Sequence, residues 1–200
     1  MSATAATLRW ELLAILERPN RPARDPEPAA PAESFEAVYR EHYRDVYRFV
    51  LLSLRRTDDA DDVVADAFDR AFAAWRSGHG PAGRALPWLL VIARRIVVDR
   101  WRRERLIRWL PFTTGPSPTG RSTPEPADSS GDEARAEFWL WLEQLANALP
   151  ERHREVIFLR YQRDLSDEEI GEILGLSASG VRTLASRAIA GIRKHPELWS

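Results

Sequence analysis

Three groups of side chains in this sequence carry usable chemistry. Near the end of the chain, Ser177, Ser179, Arg182, Thr183, Ser186 and Arg187 supply hydroxyls and guanidiniums. These groups suit phosphate oxygens and the acceptor edge of guanine. Arg182 and Ser186 lie four residues apart, as do Thr183 and Arg187, so on a helix each pair points the same way. A second group lies in residues 94–108, where seven arginines face only Asp99 and Glu104, with Trp101 and Trp109 interleaved. Such a stretch holds phosphates while its rings stack on unpaired bases; the plainer alternative is a solvated helix end with snorkelling tryptophans. The third group is acidic: Asp58, Asp59, Asp61, Asp62, Asp66 and Asp69. Neither histidine nor a second acidic cluster accompanies it, so a solvated or protein-docking face fits better than metal or acid–base chemistry. The glycine-rich stretch RSGHGPAGRAL at 76–86 is no phosphate cradle, because no strand precedes it and no lysine–serine pair follows.

Helices must position all three groups. In SDEEIGEILGLSASGVRTLASR, residues 166–187, Ser166 and Glu169 have the spacing of a capping box, with Leu165 and Ile170 placed as its hydrophobic staple. Gly175 ends that helix and Ser177 caps the next, with Leu176 stapled to Val181. Ile170, Leu174, Leu176, Val181 and Leu184 are expected to face inward, with Gly171 allowing close approach at the helix crossing. Two short helices joined by a glycine turn through one apolar seam form a helix-turn-helix, which presents its second helix to the major groove.

Earlier in the chain, Ser34 opens a helix with Phe35, Val38, Tyr39, Val46, Phe49 and Val50 on one face; His42 shares that face as a buried, hydrogen-bonded residue. Across residues 58–75, Ala60, Val63, Val64, Ala67, Phe68, Ala71, Phe72 and Trp75 recur at helical spacing. Pro87 is expected at the first position of a third helix, apolar nearly all round from Trp88 to Val98 and basic beyond. Residues 111–133, dense in proline, glycine, serine and threonine, read as a flexible linker spanning about 25–30 Å. A second domain begins near Ala134, with a helix after Pro150 carrying Val156, Ile157 and Tyr161. Residues 8–17 have the pattern of a short amphipathic helix that either docks or frays, followed by a proline-rich tail.

The expected fold class is therefore all-α: two small helical domains at 34–110 and 134–200, joined by a linker at 111–133 and preceded by an extension at 1–33. Bulk properties agree with two cores, since 44% of the 200 residues are hydrophobic. The sequence has no cysteine, so thiolate metal sites and disulfides are excluded. Apolar stretches such as residues 88–93 are far too short for a membrane span, and no export signal is evident, which makes the cytoplasm the default. The net charge of −1 conceals separated basic and acidic patches, a distribution that suggests two different partners.

Together these motifs resemble the bacterial RNA polymerase sigma factors of the extracytoplasmic-function (ECF) group. DADDVVADAFDRAFAAW followed by PWLLVIARRIVVDRWRR is similar to their region 2; LANALPERHREVIFLRYQRDLSDEEIGEILGLSASGVRTLASRA is similar to region 4. The likeness spans roughly residues 34–106 and 134–194. It implies a non-enzymatic protein without cofactor or small-molecule substrate, whose partners are core RNA polymerase, promoter DNA and an anti-sigma protein. Asp61, Asp62, Asp66 and Phe68 fall where the family docks on polymerase. Trp88, Arg94, Arg95, Arg100, Trp101, Arg102 and Arg103 fall where it captures and melts the −10 element. Ser177, Ser179, Arg182, Thr183, Ser186 and Arg187 fall in the helix that reads the −35 element. The chain departs from the family's usual residues at Ala65 (glutamine), Arg95 (asparagine) and Leu184 (basic), which leaves Arg182 and Arg187 to carry the recognition charge.

Two other readings fit parts of the chain. A response-regulator output protein carries a similar helix-turn-helix, but behind an α/β receiver domain, whereas this first domain reads all-helical. A protein-binding adaptor accounts for the acidic face but not for the basic, tryptophan-bearing helix.

Overall fold

The computed structural model describes residues 34–54, 57–109 and 149–195. Expectations for the N-terminal helix, the linker, the helix from Ala134 and the Trp109 side chain lie outside the described residues. Every regular element among those described is helical. They fall into two compact units, one holding residues 34–109 and the other 149–195.

The first unit is built from α1 (Phe35–Leu54), α2 (Thr57–Arg76) and α3 (Ala85–Trp109), each packed on the other two. Ser34 starts α1, its hydroxyl accepting from the Ala37 amide at 3.3 Å. Val46, Phe49, Val50 and Leu52 of α1 meet Ala60, Val63, Val64, Ala67 and Ala71 of α2 and Leu89, Leu90, Ala93 and Val97 of α3 in a fully buried core. Alanines on α2 let the helices approach closely enough for the larger residues of α1 and α3 to interlock. At the end of α2 the Ser77 hydroxyl donates back to the carbonyls of Ala73 and Ala74, both at 3.0 Å.

Two details of this unit differ from the expected pattern. Phe72 is 45% exposed although its spacing assigns it to the core stripe. It lies where α1 has only its first residue to offer, so its ring meets Phe35 at 5.1 Å while Arg76 covers it from 5.8 Å. The third helix begins at Ala85, which places Pro87 third in the helix. A proline is tolerated there because first-turn amides have no intrahelical acceptor. His42 is largely buried, with Nε2 4.0 Å from Glu41.

The second unit comprises α4 (Glu151–Ile157), a π-helical turn (Phe158–Gln162), α5 (Asp167–Leu174) and α6 (Ala178–Arg193). Helix α6 packs against both α4 and α5. The helix expected after Pro150 thus widens part-way: the Arg163 amide reaches the Phe158 carbonyl at 3.2 Å. Val156, Ile157, Phe158 and Leu159 are all completely buried, whereas Tyr161 is half-buried. Arg154 lies in the same core and donates to the Leu149 carbonyl at 2.8 Å. Burial pushes the Tyr161 hydroxyl above its ordinary pKa.

Candidate nucleic-acid interface

Capping sets the geometry of α5 and α6. Ser166 Oγ accepts from the Glu169 amide at 3.1 Å, and Glu169 Oε2 accepts from the Ser166 amide at 2.8 Å, completing the expected capping box. Gly175 stops α5 in the left-handed conformation, φ 66°, which glycine adopts without steric cost. A Cβ on Gly171 would stand 2.6 Å from the Leu176 carbonyl oxygen. The close approach at Gly171 is therefore to the turn backbone and not, as expected, to the crossing helix. Ser177 caps α6 by accepting from the Gly180 amide at 3.1 Å, and its hydroxyl also lies 3.0 Å from that of Ser179.

The inner seam of α6 is Val181, Ala185, Ala188 and Ile192, all buried; α5 contributes Ile170, Ile173 and Leu174. Leu184 and Leu176, expected inside, are only half-buried. Successive steps of four, three and four residues follow the helix repeat from Val181, which places Ala185 beneath the seam and turns Leu184 to its edge. Two small residues suit a helix pressed against both α4 and α5.

Ser177, Ser179, Arg182, Thr183, Ser186 and Arg187 are all exposed. The expected outward face is therefore assembled on one side of α6. Thr183 donates its hydroxyl to the Ser179 carbonyl at 3.0 Å, leaving oxygen lone pairs outward. Arg182 reaches Asp167 on α5 at 3.4 Å, and Asp167 also meets Arg160 at 3.1 Å. His153 on α4 is held below the usual histidine pKa by burial and then by the Arg187 guanidinium.

In the first unit the basic end of α3 separates into two kinds of arginine. Arg95, Arg102 and Arg103 are exposed. Arg94 is only 5% exposed and its guanidinium lies 4.7 Å over the ring of Trp101, two turns along the same face, in a cation–π contact. Arg100 is ion-paired with Asp59 of α2. Arg94 and Arg100 thus face inward although the arginine run reads as one exposed surface, because α3 at these positions still packs on its neighbours. Trp101 is half-buried, and Trp88 is half-buried with its ring 6.5 Å from Trp75. On α2, Asp61 and Asp62 are half-exposed, and exposed Asp66 accepts from Arg70 at 3.3 Å. Phe68 belongs to the core, its ring 4.7 Å from Tyr39 and 6.0 Å from Tyr43. Asp59, Asp167 and Arg160 were missed as site neighbours. Each pairs with a residue on another element, which helical periodicity does not register.

No group of residues able to hold a metal ion is present among the described residues, and no helix there is long and apolar enough to cross a membrane. The Sigma-70 region 2 family model matches residues 38–107, and the Sigma-70, region 4 model matches residues 145–194. The RNA polymerase sigma factor YlaC of Bacillus subtilis is 27% identical over 163 residues, covering 82% of this chain and 92% of its own. The ECF RNA polymerase sigma factor SigL of Mycobacterium tuberculosis is 27% identical over 165 residues, with 82% and 90% covered. Among solved structures, the sigma factor RpoE of Bartonella quintana, in complex with the anti-sigma factor NepR, superposes with a TM-score of 0.58 at 20% identity, covering 84% of this chain and 97% of that one. CnrH, in complex with the cytosolic domain of CnrY, gives 0.56 at 21% identity, covering 96% and 98%. Both solved structures share the fold. With region 2 and region 4 matched in that order on the two helical units, the chain belongs to the ECF group of RNA polymerase sigma factors.

Proposed function

We propose that this sigma factor reads the −35 element through the outward face of α6, captures and melts the −10 element at the basic end of α3, and docks on polymerase through the acidic face of α2. As a sigma factor it binds core RNA polymerase and directs promoter-specific initiation. The observation that carries the residue assignment is the exposed array Ser179, Arg182, Thr183, Ser186 and Arg187 on a doubly capped helix-turn-helix. Its donors and acceptors point where a major groove presents phosphates and base edges.

On α3, exposed Arg95, Arg102 and Arg103 hold the phosphates, and Trp101 offers its ring to an unstacked base from a seat set by Arg94. Arg100 and Trp88 support that surface from within. Asp61, Asp62 and Asp66 form the polymerase contact, with Phe68 fixing α2 from beneath. Two functional domains at 34–110 and 134–200, linked by 111–133, let one chain span both promoter elements. The protein acts in the cytoplasm as a non-enzymatic factor, without cofactor or membrane insertion. An anti-sigma partner is supported by RpoE having been solved with one.

The test is binding by the reconstituted holoenzyme to promoter duplex and to fork-junction DNA. Arg182→Ala with Arg187→Ala should weaken binding only where the −35 sequence is intact. Arg102→Ala with Arg103→Ala should weaken fork binding whatever the −35 sequence. If both pairs of substitutions act alike on both DNAs, the division of labour is wrong.

A further inference from the structure

The carboxylate of Asp167, in the first turn of α5, stands between two guanidiniums. Arg160, on the π-helical turn, places Nη2 3.1 Å from Oδ1. Arg182, on α6, places Nη1 3.4 Å from Oδ2. Exposure divides the three sharply: the side chains of Arg160 and Asp167 are 9% and 11% exposed, that of Arg182 49%. A nearly buried carboxylate, fixed from behind by a nearly buried guanidinium, therefore holds one corner of an exposed guanidinium.

This matters because an arginine has two ways to meet DNA. Free to swing, its side chain finds any nearby phosphate and carries no sequence information. Held in one plane, its fork matches the paired acceptors of guanine. Of the five guanidinium donors, the Asp167 contact engages the Nη1 corner and leaves the rest for the groove. An ordered side chain also loses less rotamer freedom on binding. Asp167 gains nothing from a phosphate backbone of its own sign, so a contribution to base preference would pass through Arg182, the exposed guanidinium it contacts.

We propose that Asp167 is a positioning residue for base selection, orienting Arg182 to read a base edge where a mobile arginine would hold phosphate. The proposal rests on Arg182 being a −35 reader, as put forward above.

The test uses holoenzyme carrying the full chain as wild type, Asp167→Asn, Arg182→Ala and the double variant. Each is measured for affinity to promoter duplexes in which every −35 base pair is varied in turn. Asp167→Ser serves as a second variant should the amide disturb folding, and thermal melts confirm that each protein is folded at the assay temperature. Asp167→Asn should lower the preference for the best base at one position by about 2–5-fold, the range an exposed ion pair carries, with affinity for scrambled DNA unchanged or raised. In the Arg182→Ala background the same change should cause no further loss of preference. A purely structural role would weaken all sequences alike in both backgrounds, which would overturn the proposal. If Arg182→Ala leaves base preference intact, the reading of Arg182 itself fails. If Arg182→Ala removes the preference while Asp167→Asn retains it, only the positioning role fails.

Discussion

Replacing Arg100 with glutamine removes the ion pair that ties α3 to Asp59 on α2. In direct contact two unit charges attract by about 4 kcal/mol at the effective dielectric near a protein surface. Desolvation opposes that attraction, and the pair keeps some solvent access, its side chains being 26% and 19% exposed. The coupling should therefore fall near the top of the exposed range, about 1 kcal/mol, well short of the roughly 3–5 kcal/mol for breaking a fully buried pair. In a unit of this size, 1 kcal/mol moves the melting midpoint by about 4–8 °C. The assay is a double-mutant cycle in the full chain, with Arg100→Gln, Asp59→Asn and the pair together, followed by urea unfolding and calorimetry. Fork-junction binding, measured in parallel below the transition, should stay near wild type for Arg100→Gln and fall for Arg102→Ala with Arg103→Ala. A normal melt combined with lost fork binding would refute the inward placement of Arg100 and restore it to the DNA-contacting surface.

Other perturbations separate core from surface in the second unit. Val181→Ala should destabilise by about 2 kcal/mol and half-buried Leu184→Ala by about 1 kcal/mol, read from urea unfolding; the reverse order would return Leu184 to the seam. Ser166→Ala removes half of the capping box and should cost about 1 kcal/mol, with −35 preference retained at temperatures where the protein is folded. His153 has a folded pKa below the ordinary 6.5, so between those two values the unfolded chain binds more protons. Stability should accordingly fall as pH drops through about 6.5. His153→Gln should flatten that part of the stability–pH curve, and an unchanged curve would contradict the burial beside Arg187.

Much of this protein is legible in its sequence because its signals are local. Ser166, Glu169, Gly175 and Ser177 act on amides a few residues away, so their spacing alone locates α5, the turn and α6. The outward face followed from the same periodicity, since polar groups mark it. Its inner counterpart was misplaced by one residue because hydrophobicity favours Leu184, whereas close packing favours the small side chain of Ala185. The arginines of α3 misled for a related reason: charge predicts solvent, but Arg94 is sheltered against Trp101 and Arg100 is met by Asp59. Trp101 follows Arg94 by two turns on the same face, where charge alone gives no sign of shelter, and Asp59 lies on another helix, which periodicity within one helix does not reach. The π-helical turn at Phe158 leaves no composition cue, yet it carries Arg160, the buried anchor of Asp167.

The central claim is that this chain turns core polymerase into a promoter-specific enzyme through these two surfaces. Run-off transcription tests it most directly, with purified core polymerase and a promoter mapped by sequencing 5′ transcript ends after controlled expression of the protein. Core polymerase with wild-type protein should yield one defined transcript that core alone does not make. That transcript should be reduced by Arg182→Ala with Arg187→Ala and restored when the −35 requirement is bypassed on a pre-melted template. Transcription from the mapped site that is equally strong without the protein, or indifferent to both α6 substitutions on duplex DNA, would contradict it.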